Sequence, residues 1–535
     1  MDSRGGADPG FMTRTIISRR DALKQGALLG AAVALSACGP FARSAQPAAT
    51  PGKRLTLSWW TDTGYPSPFT FSSLGPGGVV KETLLFDSLV WKDSRGFVPW
   101  LAESWSVEDQ GRAIVFRLRS NATWHDGHPF TADDAAFSFR YFSRHPFSWA
   151  DLTPVASAVA TDSRTLRVEL PQPFAPFLNN IAGVLPMIPE HIWSKVSDPL
   201  KFQGPEAVIG TGPFVFNSYT EGQGAYLFKA NDRFFAGRPA FRELAYVLLP
   251  DAQQPLALKN GEVDSAFNTA YDVQARFNSG AYRVLKTPPH SIVRLVFNVN
   301  RPPFDRVEFR RAIAFGLDRA QIAQRVIHGD VIVGSPGIIP PETPWFRSDL
   351  RQYPYDPARA RALLDQVGYD RSTTVQLLSE PDTPDSELVR SMLSEVGIKV
   401  QVVTVDPKTR SARLKAFDYQ MSLAKHIGVG GDPDFLRRWY VTQPFSAFEF
   451  GNVMHRPDFN ALAVKQSTET NPGNRKAIVD QMQGILADEL PTLALYHRRI
   501  YLIHRESTGA HWFNTWGGIM DGIPLLENKL ALVSR

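Results

Sequence analysis

The chain has 535 residues, too many for one ordinary hydrophobic core, so we expect two or three domains. Its hydrophobic fraction of 43% and charged fraction of 21% are typical of a soluble globular protein. The net charge of +5 is small for this length, and no basic tract is interleaved with aromatic residues, which excludes nucleic acid as an expected partner.

The N-terminal 38 residues have the pattern of an export signal. Arg19 and Arg20 precede an apolar run over 26–37, which is shorter than the ~20 residues that span a bilayer. The arginine pair resembles a twin-arginine signal, although Ala22 stands where that signal usually has phenylalanine. Leu-Ser-Ala-Cys at 35–38 resembles a bacterial lipobox, so we expect Cys38 to be the lipid-attachment site. The alternative for Cys38 is a small buried hydrophobic residue.

The compartment and the tether follow from the same segment. We expect an exported protein in the periplasm or on the outer face of the cytoplasmic membrane, held there by lipid if Cys38 is acylated. Cys38 is the only cysteine, so the body has neither a disulfide nor a cysteine-based metal site.

Residues 1–11 precede Met12 and are set aside as a mis-assigned start or added sequence. Residues 39–53, rich in Ala and Pro toward their end, are expected to be a flexible tether.

The folded body is predicted to begin with a strand over 54–60, which is rich in Leu, Thr and Trp. Loop residues follow over 64–78, and the spacing of apolar residues predicts a helix over 79–89. Residues 113–119 alternate between apolar and basic side chains, which indicates a half-exposed strand.

The densest local signal lies over 123–140. Asp126-Gly127 is typical of a turn, and Thr131 is a predicted N-cap that Asp134 completes as a capping box. His125 and His128 are spaced closely enough for a shared metal, but the intervening Asp-Gly and the following proline break the helix that would align them. We therefore expect structural or surface histidines here and no metal site.

The second half alternates helices and strands. A β-rich run over 292–300 precedes predicted helices over 307–326 and 356–367, and residues 373–405 read as a β-α-β unit. Phosphate-binding glycine loops, a nucleophile elbow and a His-Glu-x-x-His zinc motif are missing from the sequence. We therefore expect no enzyme and no cofactor, although a Ser/His/Asp triad brought together only by the fold stays open.

Many short motifs, in one order, resemble the family 5 extracellular solute-binding proteins, the peptide and nickel receptors of ABC importers. The resemblance covers about residues 54–535, and its clearest stretch runs from Pro99 to Asp134. The other matching motifs are Gly210–Phe214, Asn231–Phe235, Leu258–Asp264, Phe297–Asn298, Pro303–Asp305, Arg310–Ile313, Asp318–Arg319 and Tyr355–Pro357.

The resemblance implies a two-lobed α/β fold of the periplasmic-binding-protein type (class C-like, type II) with an extra inserted subdomain. Lobe I is expected over 54–91, 207–290 and 498–535, the inserted subdomain over 92–206, and lobe II over 291–497. The lobes are expected to close around a ligand by a hinge motion. The implied function is capture of di- or oligopeptides by a monomeric receptor and their delivery to an ABC permease in the inner membrane.

The candidate ligand-binding segment is 424–435, after a predicted strand over 419–423. It resembles the family segment in which an aspartate holds the α-ammonium of a bound peptide, so Asp432 or Asp434 would take that role by a charge-assisted hydrogen bond. The alternative is that both aspartates cap the helix that starts near Phe435. His426 stands where peptide receptors usually have a tryptophan, which leaves room for another amine-bearing or bulky polar ligand.

Aromatic side chains complete the predicted site. Trp59 and Tyr65 come from the first strand and its loop, with Phe69 close behind, and Phe435, Trp439 and Tyr440 follow the aspartates. Each is as compatible with a core position as with the cleft.

Two alternatives to a peptide receptor are kept: the same fold binding a non-peptide solute, such as a metal chelate, opine or sugar conjugate, and an exported enzyme, which no motif supports.

Overall fold

The computed structural model describes residues 15–17, 53–73, 76–147, 149–268, 272–327, 330, 332–381, 383–441, 454–518, 522 and 525–533. Cys38, the lipobox and nearly all of the predicted tether lie outside these residues. Within the described part, none of the helices has both the length and the apolar character needed to cross a membrane.

In the described part of the chain, the strands are short and are numbered in chain order. They are β1 Thr15–Ile17, β2 Arg54–Trp59, β3 Val90–Lys92, β4 Phe97–Pro99, β5 Ala102–Glu108, β6 Ala113–Leu118, β7 Ser157–Asp162, β8 Thr165–Glu169, β9 Phe214–Thr220, β10 Ala225–Ala230, β11 Glu243–Leu248, β12 Ser265–Asn268, β13 Tyr282–Lys286, β14 Ser291–Phe297, β15 Ile332–Val333, β16 Thr374–Ser379, β17 Lys399–Thr404, β18 Met421–Ile427, β19 Thr492–Arg498 and β20 Tyr501–Arg505.

The α-helices of the same residues are concentrated in the second half. They are α1 Pro68–Ser73, α2 Pro76–Leu85, α3 Ala132–Arg144, α4 Glu190–Trp193, α5 Gln254–Asn260, α6 Val273–Arg276, α7 Val307–Gly316, α8 Arg319–Ile327, α9 Pro357–Gln366, α10 Pro384–Glu395, α11 Pro407–Lys415, α12 Phe435–Tyr440, α13 Pro457–Thr468 and α14 Pro472–Glu489. Short 3₁₀ turns and one π-helical turn, Leu178–Ala182, connect other segments.

Lobe I is built on two sheets. The first has the order β2-β11-β10-β9, with β2 parallel to β11, and the second has the order β12-β20-β13. An antiparallel sheet, β1-β5-β6-β8-β7, forms the subdomain, with α3 packed against β7 and β8. Buried side chains of both regions belong to one hydrophobic cluster, which includes Leu57, Trp105, Phe139 and the near-C-terminal Leu532. Lobe I and the subdomain therefore share a continuous core.

Lobe II is built on one mixed sheet with the order β15-β19-β14-β18-β16-β17. Its main core lies between this sheet and the helices over 307–396, and a second cluster lies among α12, α13 and α14. β16, α10 and β17 form the predicted β-α-β unit, with β16 parallel to β17, which confirms that prediction.

Two segments connect the lobes in the described part of the chain: 287–290 joins β13 to β14, and 499–500 joins β19 to β20. They run side by side, because the Thr287 N–H donates to the Ile500 carbonyl at 3.0 Å and the Ile500 N–H donates to Thr287 Oγ1 at 2.9 Å. Arg499 adds ion pairs to Asp330, at 3.2 Å, and to Glu342. This paired crossing is the place where a hinge motion would act.

Local signals identified α3 correctly. Thr131 accepts the Asp134 N–H at 3.4 Å, and the Asp134 carboxylate accepts the Thr131 N–H at 3.0 Å, which confirms the predicted capping box. The predicted single helix over 307–326 was wrong: α7 ends at Gly316 and α8 begins at Arg319. Leu317 between them is extended, and the Asp318 carboxylate accepts the Gln321 N–H at 2.9 Å, so it caps a new helix.

Candidate functional site

The loop over 428–434 leaves the end of β18 and reaches the lobe crossing. The Gly428 and Val429 N–H groups both donate to the His290 carbonyl, at 2.7 and 3.0 Å. The backbone of Gly431 lies against Gly522 of the C-terminal segment, so closely that an ideal Cβ on Gly431 would stand 2.5 Å from the Gly522 Cα. This loop of lobe II therefore contacts lobe I directly beside the hinge.

Asp434 is held inside lobe II. Its carboxylate accepts Nε and Nη2 of Arg437, each at 2.7 Å, and Nε2 of Gln466 at 2.7 Å. Burial acts to raise the pKa of Asp434, but the Arg437 guanidinium and the charges of Arg438 and Arg475 together keep it below its ordinary value. Its side chain does not cap α12, so the capping alternative was wrong for this residue.

Asp432 is paired as well, and it directly follows Gly431, the residue that meets lobe I. It accepts both terminal nitrogens of Arg475, at 2.8 and 2.6 Å, and the backbone N–H of Asp434 at 2.9 Å. Its side chain is 8% exposed, against 1% for Asp434. The two candidate aspartates are therefore both ion-paired, and Asp432 is the one that retains access to its surroundings.

Lys92, which the sequence interpretation missed, lies at the junction of lobe I and the inserted subdomain and brings a buried amine toward this loop. Its ammonium donates to the Gly518 carbonyl at 2.7 Å and to Asn179, and it lies 5.0 Å from the Phe97 ring centre and 5.6 Å from that of Trp516. Burial lowers the pKa of Lys92 to about 7, and the negative charge of Asp432 partly opposes this shift. The only sequence signal is a lysine at the end of an otherwise apolar strand.

Lys92 leads to a prediction about pH. Unfolded lysine keeps its proton up to its ordinary pKa of 10.5, whereas folded Lys92 loses it at about 7. Between these values the unfolded state binds more protons, so the stability of the wild type should rise with pH relative to that of Lys92→Met. Melting temperatures of both proteins at about pH 6.5, 8 and 9 test this sign. A difference in melting temperature between the wild type and Lys92→Met that stays constant over this pH range would contradict the lowered pKa of Lys92.

The predicted aromatic residues occupy three separate places. Trp59 stacks on Trp60 at 4.2 Å and is 5% exposed, which favours core packing for Trp59 and leaves the half-buried Trp60 more accessible. Phe69 stacks on Phe142 at 5.1 Å inside the shared core. Tyr65 is half-buried and helps to line a cavity of about 560 Å³ with Phe216 and other lobe I residues.

The other candidates lie in lobe II, around α12. His426 contacts the Trp439 ring edge-on at 4.8 Å, and the Arg294 guanidinium lies 3.7 Å from the centre of the same ring. Burial, together with the charges of Arg294 and Arg438, lowers the pKa of His426 well below its ordinary value. Phe435, Trp439 and Tyr440 are all buried and belong to one hydrophobic cluster, so their placement favours core packing. Among the predicted site residues, Asp432 directly follows Gly431, whose backbone lies against Gly522 of lobe I.

Comparison with known proteins agrees with this architecture. Residues 96–447 match the model of the bacterial extracellular solute-binding proteins, family 5. The dipeptide-binding protein of Escherichia coli is 25% identical over 76% of this chain and 81% of its own, and the nickel-binding periplasmic protein of the same species is 24% identical over 89% and 90%.

A solved structure supports the fold alone. An ABC transporter-associated periplasmic binding protein from Helicobacter pylori, in complex with the peptide STSA, superposes with a TM-score of 0.75 at 19% identity, over 88% of this chain and 97% of its own. This confirms the predicted two-lobed α/β fold. The chain belongs to family 5 of the bacterial extracellular solute-binding proteins, extracytoplasmic receptors of ABC importers that bind their solute rather than transform it.

Proposed function

We propose that this receptor captures a short peptide, or a peptide-like solute with an ammonium and a carboxylate, where lobe I meets lobe II. It then delivers the solute to the permease of an ABC importer. The similarity to the Escherichia coli dipeptide-binding protein, over three quarters of the chain, is the observation that carries the choice of a peptide. Export, lipid attachment at Cys38 and a monomeric state belong to the same proposal.

The charges at the lobe contact support a zwitterionic solute. Asp432 belongs to lobe II, Lys92 lies at the junction of lobe I and the inserted subdomain, and the negative charge of Asp432 acts on Lys92. The ammonium of a solute is attracted to Asp432, and its carboxylate is attracted to Lys92. Such a pair of opposite charges, in surroundings that exclude water, attracts complementary charges more strongly than the same pair on an open surface does.

Both groups keep hydrogen-bonding capacity. A carboxylate has about four acceptor positions, and at Asp432 Arg475 uses two and the Asp434 N–H uses one. The Lys92 ammonium has three donors, of which Asn179 and the Gly518 carbonyl take two. Among the residues that the structure describes, each therefore has one position left for a further partner. Asp432 is accordingly the better candidate than the fully enclosed Asp434 for the ammonium contact.

A thermodynamic cycle tests the ammonium contact. We expect Asp432→Asn to weaken binding of a dipeptide by roughly 10- to 100-fold, since a hydrogen bond to a charged group contributes about 1.5–3 kcal/mol. N-acetylation of the dipeptide should cost a similar amount with the wild type and much less with the variant, because both changes remove the same contact. Isothermal titration calorimetry measures all four combinations. Additive losses would mean that Asp432 acts through Arg475 or another group rather than on the ammonium.

A metal chelate is the second candidate solute. The nickel-binding relative is about as similar to this chain as the dipeptide-binding one, and both candidate carboxylates already have arginine partners. Titration with di- to pentapeptides and, separately, with Ni²⁺–histidine distinguishes the two. A heat of binding with the nickel chelate, combined with none for any of the peptides, would overturn the peptide proposal.

A further inference from the structure

Asp126 and His128, which are two positions apart in the sequence, meet the distant His191 on the subdomain. Nε2 of His191, in α4, lies 2.7 Å from Oδ2 of Asp126, and Nδ1 of His128 lies 3.2 Å from Oδ1 of the same carboxylate. The two imidazole ring centres are 4.3 Å apart. One potential ligand atom from each of the three residues lies within 4.8 Å of the other two.

The scaffold fixes the carboxylate between the two rings. The His128 N–H donates to Asp126 Oδ1 at 3.1 Å, and Gly127 between them has a φ of +98°, which a residue with a side chain rarely adopts. The Glu190 N–H, at the start of α4, donates to Asp134 Oδ1 at 3.1 Å. Asp134, the second residue of the α3 capping box, therefore holds α4 beside the Asp126-Gly127 turn, and His191 is part of α4.

The donor set matches a transition-metal ion. Imidazole nitrogens and a carboxylate oxygen are preferred ligands of Zn²⁺, Ni²⁺ and Cu²⁺, which bind them at about 2.0–2.2 Å. The His128 side chain is 63% exposed and that of His191 is 35% exposed, so both rings have room to turn toward a common centre.

The surroundings leave coordination positions open. The three residues line a cavity of about 670 Å³ whose lining residues all come from 126–209, so lobe II contributes none of them. Two further carboxylates, Asp198 and Glu206, and two lysines, Lys195 and Lys201, line the same cavity. Lys201 pairs with Asp198 at 2.9 Å, so the local positive charge is partly neutralised. Water or a small anion has access to a bound ion here.

We propose that Asp126, His128 and His191 bind one divalent transition-metal ion on the subdomain, at a site separate from the solute site between the lobes. The site is a property of the receptor body and does not depend on which solute the lobes enclose. It also revises the expectation from sequence that the histidines near the Asp-Gly turn are only structural, because the partner of His128 is His191 rather than His125.

Copper is the most sensitive probe, since Cu²⁺ binds such ligands more tightly than the other divalent first-row ions. Calorimetry of the protein with any affinity tag removed should give one equivalent of bound Cu²⁺, and the electron paramagnetic resonance spectrum should show coupling to two nitrogen nuclei. His128→Ala and His191→Ala should each weaken binding about 10-fold or more and remove one nitrogen coupling. Peptide affinity should not change in either variant.

His455→Ala is the matched control, because His455 is also exposed but lies in lobe II. It should leave copper affinity and the spectrum unchanged. Circular dichroism shows whether each variant is folded, and His128→Asn gives a second, conservative change at the most exposed ligand. Copper binding that persists unchanged in both His128 variants, or no binding by the folded wild type, would overturn the proposal.

Discussion

Asp434→Asn will destabilise lobe II by about 3–5 kcal/mol, the usual cost of removing one partner of a buried ion pair. Asparagine has nearly the same shape as aspartate, so the loss of stability comes from removing the negative charge that pairs with Arg437. Arg437, only 5% exposed, would keep its charge, and the Asp151 carboxylate lies 3.9 Å from it. Thermal unfolding followed by circular dichroism measures the effect as a lower transition temperature.

The matched control is Asp458→Asn. Asp458 also pairs with an arginine, Arg456, at 2.7 Å, but the two side chains are 53% and 39% exposed. An exposed pair of this kind contributes about 0–1 kcal/mol, so this variant should unfold almost like the wild type. Equal effects of the two substitutions would contradict the structural role that we give to Asp434.

Gly431→Ala will weaken solute binding about tenfold or more while leaving the separate lobes folded. The three atoms nearest to the added methyl group would all be backbone atoms: the Gly522 Cα at 2.5 Å, its nitrogen at 2.6 Å and the Gly517 carbonyl oxygen at 2.9 Å. Backbone cannot rotate away as a side chain can, and overpacking of this kind costs about 1–3 kcal/mol. Since the contact joins lobe II to lobe I, the cost falls on the state in which the lobes touch.

Small-angle scattering with and without solute detects this effect. The wild type should become more compact when solute is added, and Gly431→Ala should need a higher solute concentration for the same change. Gly473→Ala is the control, because a Cβ there meets only the Asn471 Oδ1 at 3.4 Å. Wild-type affinity in Gly431→Ala would mean that solute binding does not require this contact between the lobes.

Local signals in the sequence predicted local structure well. The capping box at Thr131 and Asp134 and the β-α-β unit over 373–405 depend on residues close in sequence, and both form as expected. The break at Leu317 was missed because the apolar spacing continues across it, and only the capping contact of Asp318 reveals a second helix. The predicted lobe boundaries stay predictions.

The site was less predictable, because its partners are far apart in the chain. Asp432 could be identified as a candidate, but nothing near it indicates that Arg475, 43 residues later, holds both of its oxygens. The role of Lys92 could not be predicted for the same reason, because its hydrogen-bond partner Gly518 lies more than 400 residues away in the sequence. His128 is close to His125 in the sequence, but the ring that lies beside it in the structure is that of His191, which α4 positions.

Native mass spectrometry of the protein, purified without added solute, tests the central claim most directly. A receptor that encloses its solute between two lobes often keeps it through purification, and the mass difference identifies the class of solute. Our account predicts a bound population whose added masses and fragmentation correspond to short peptides. A bound metal chelate or other non-peptide species, combined with no rise in melting temperature on addition of di- to pentapeptides, would contradict it.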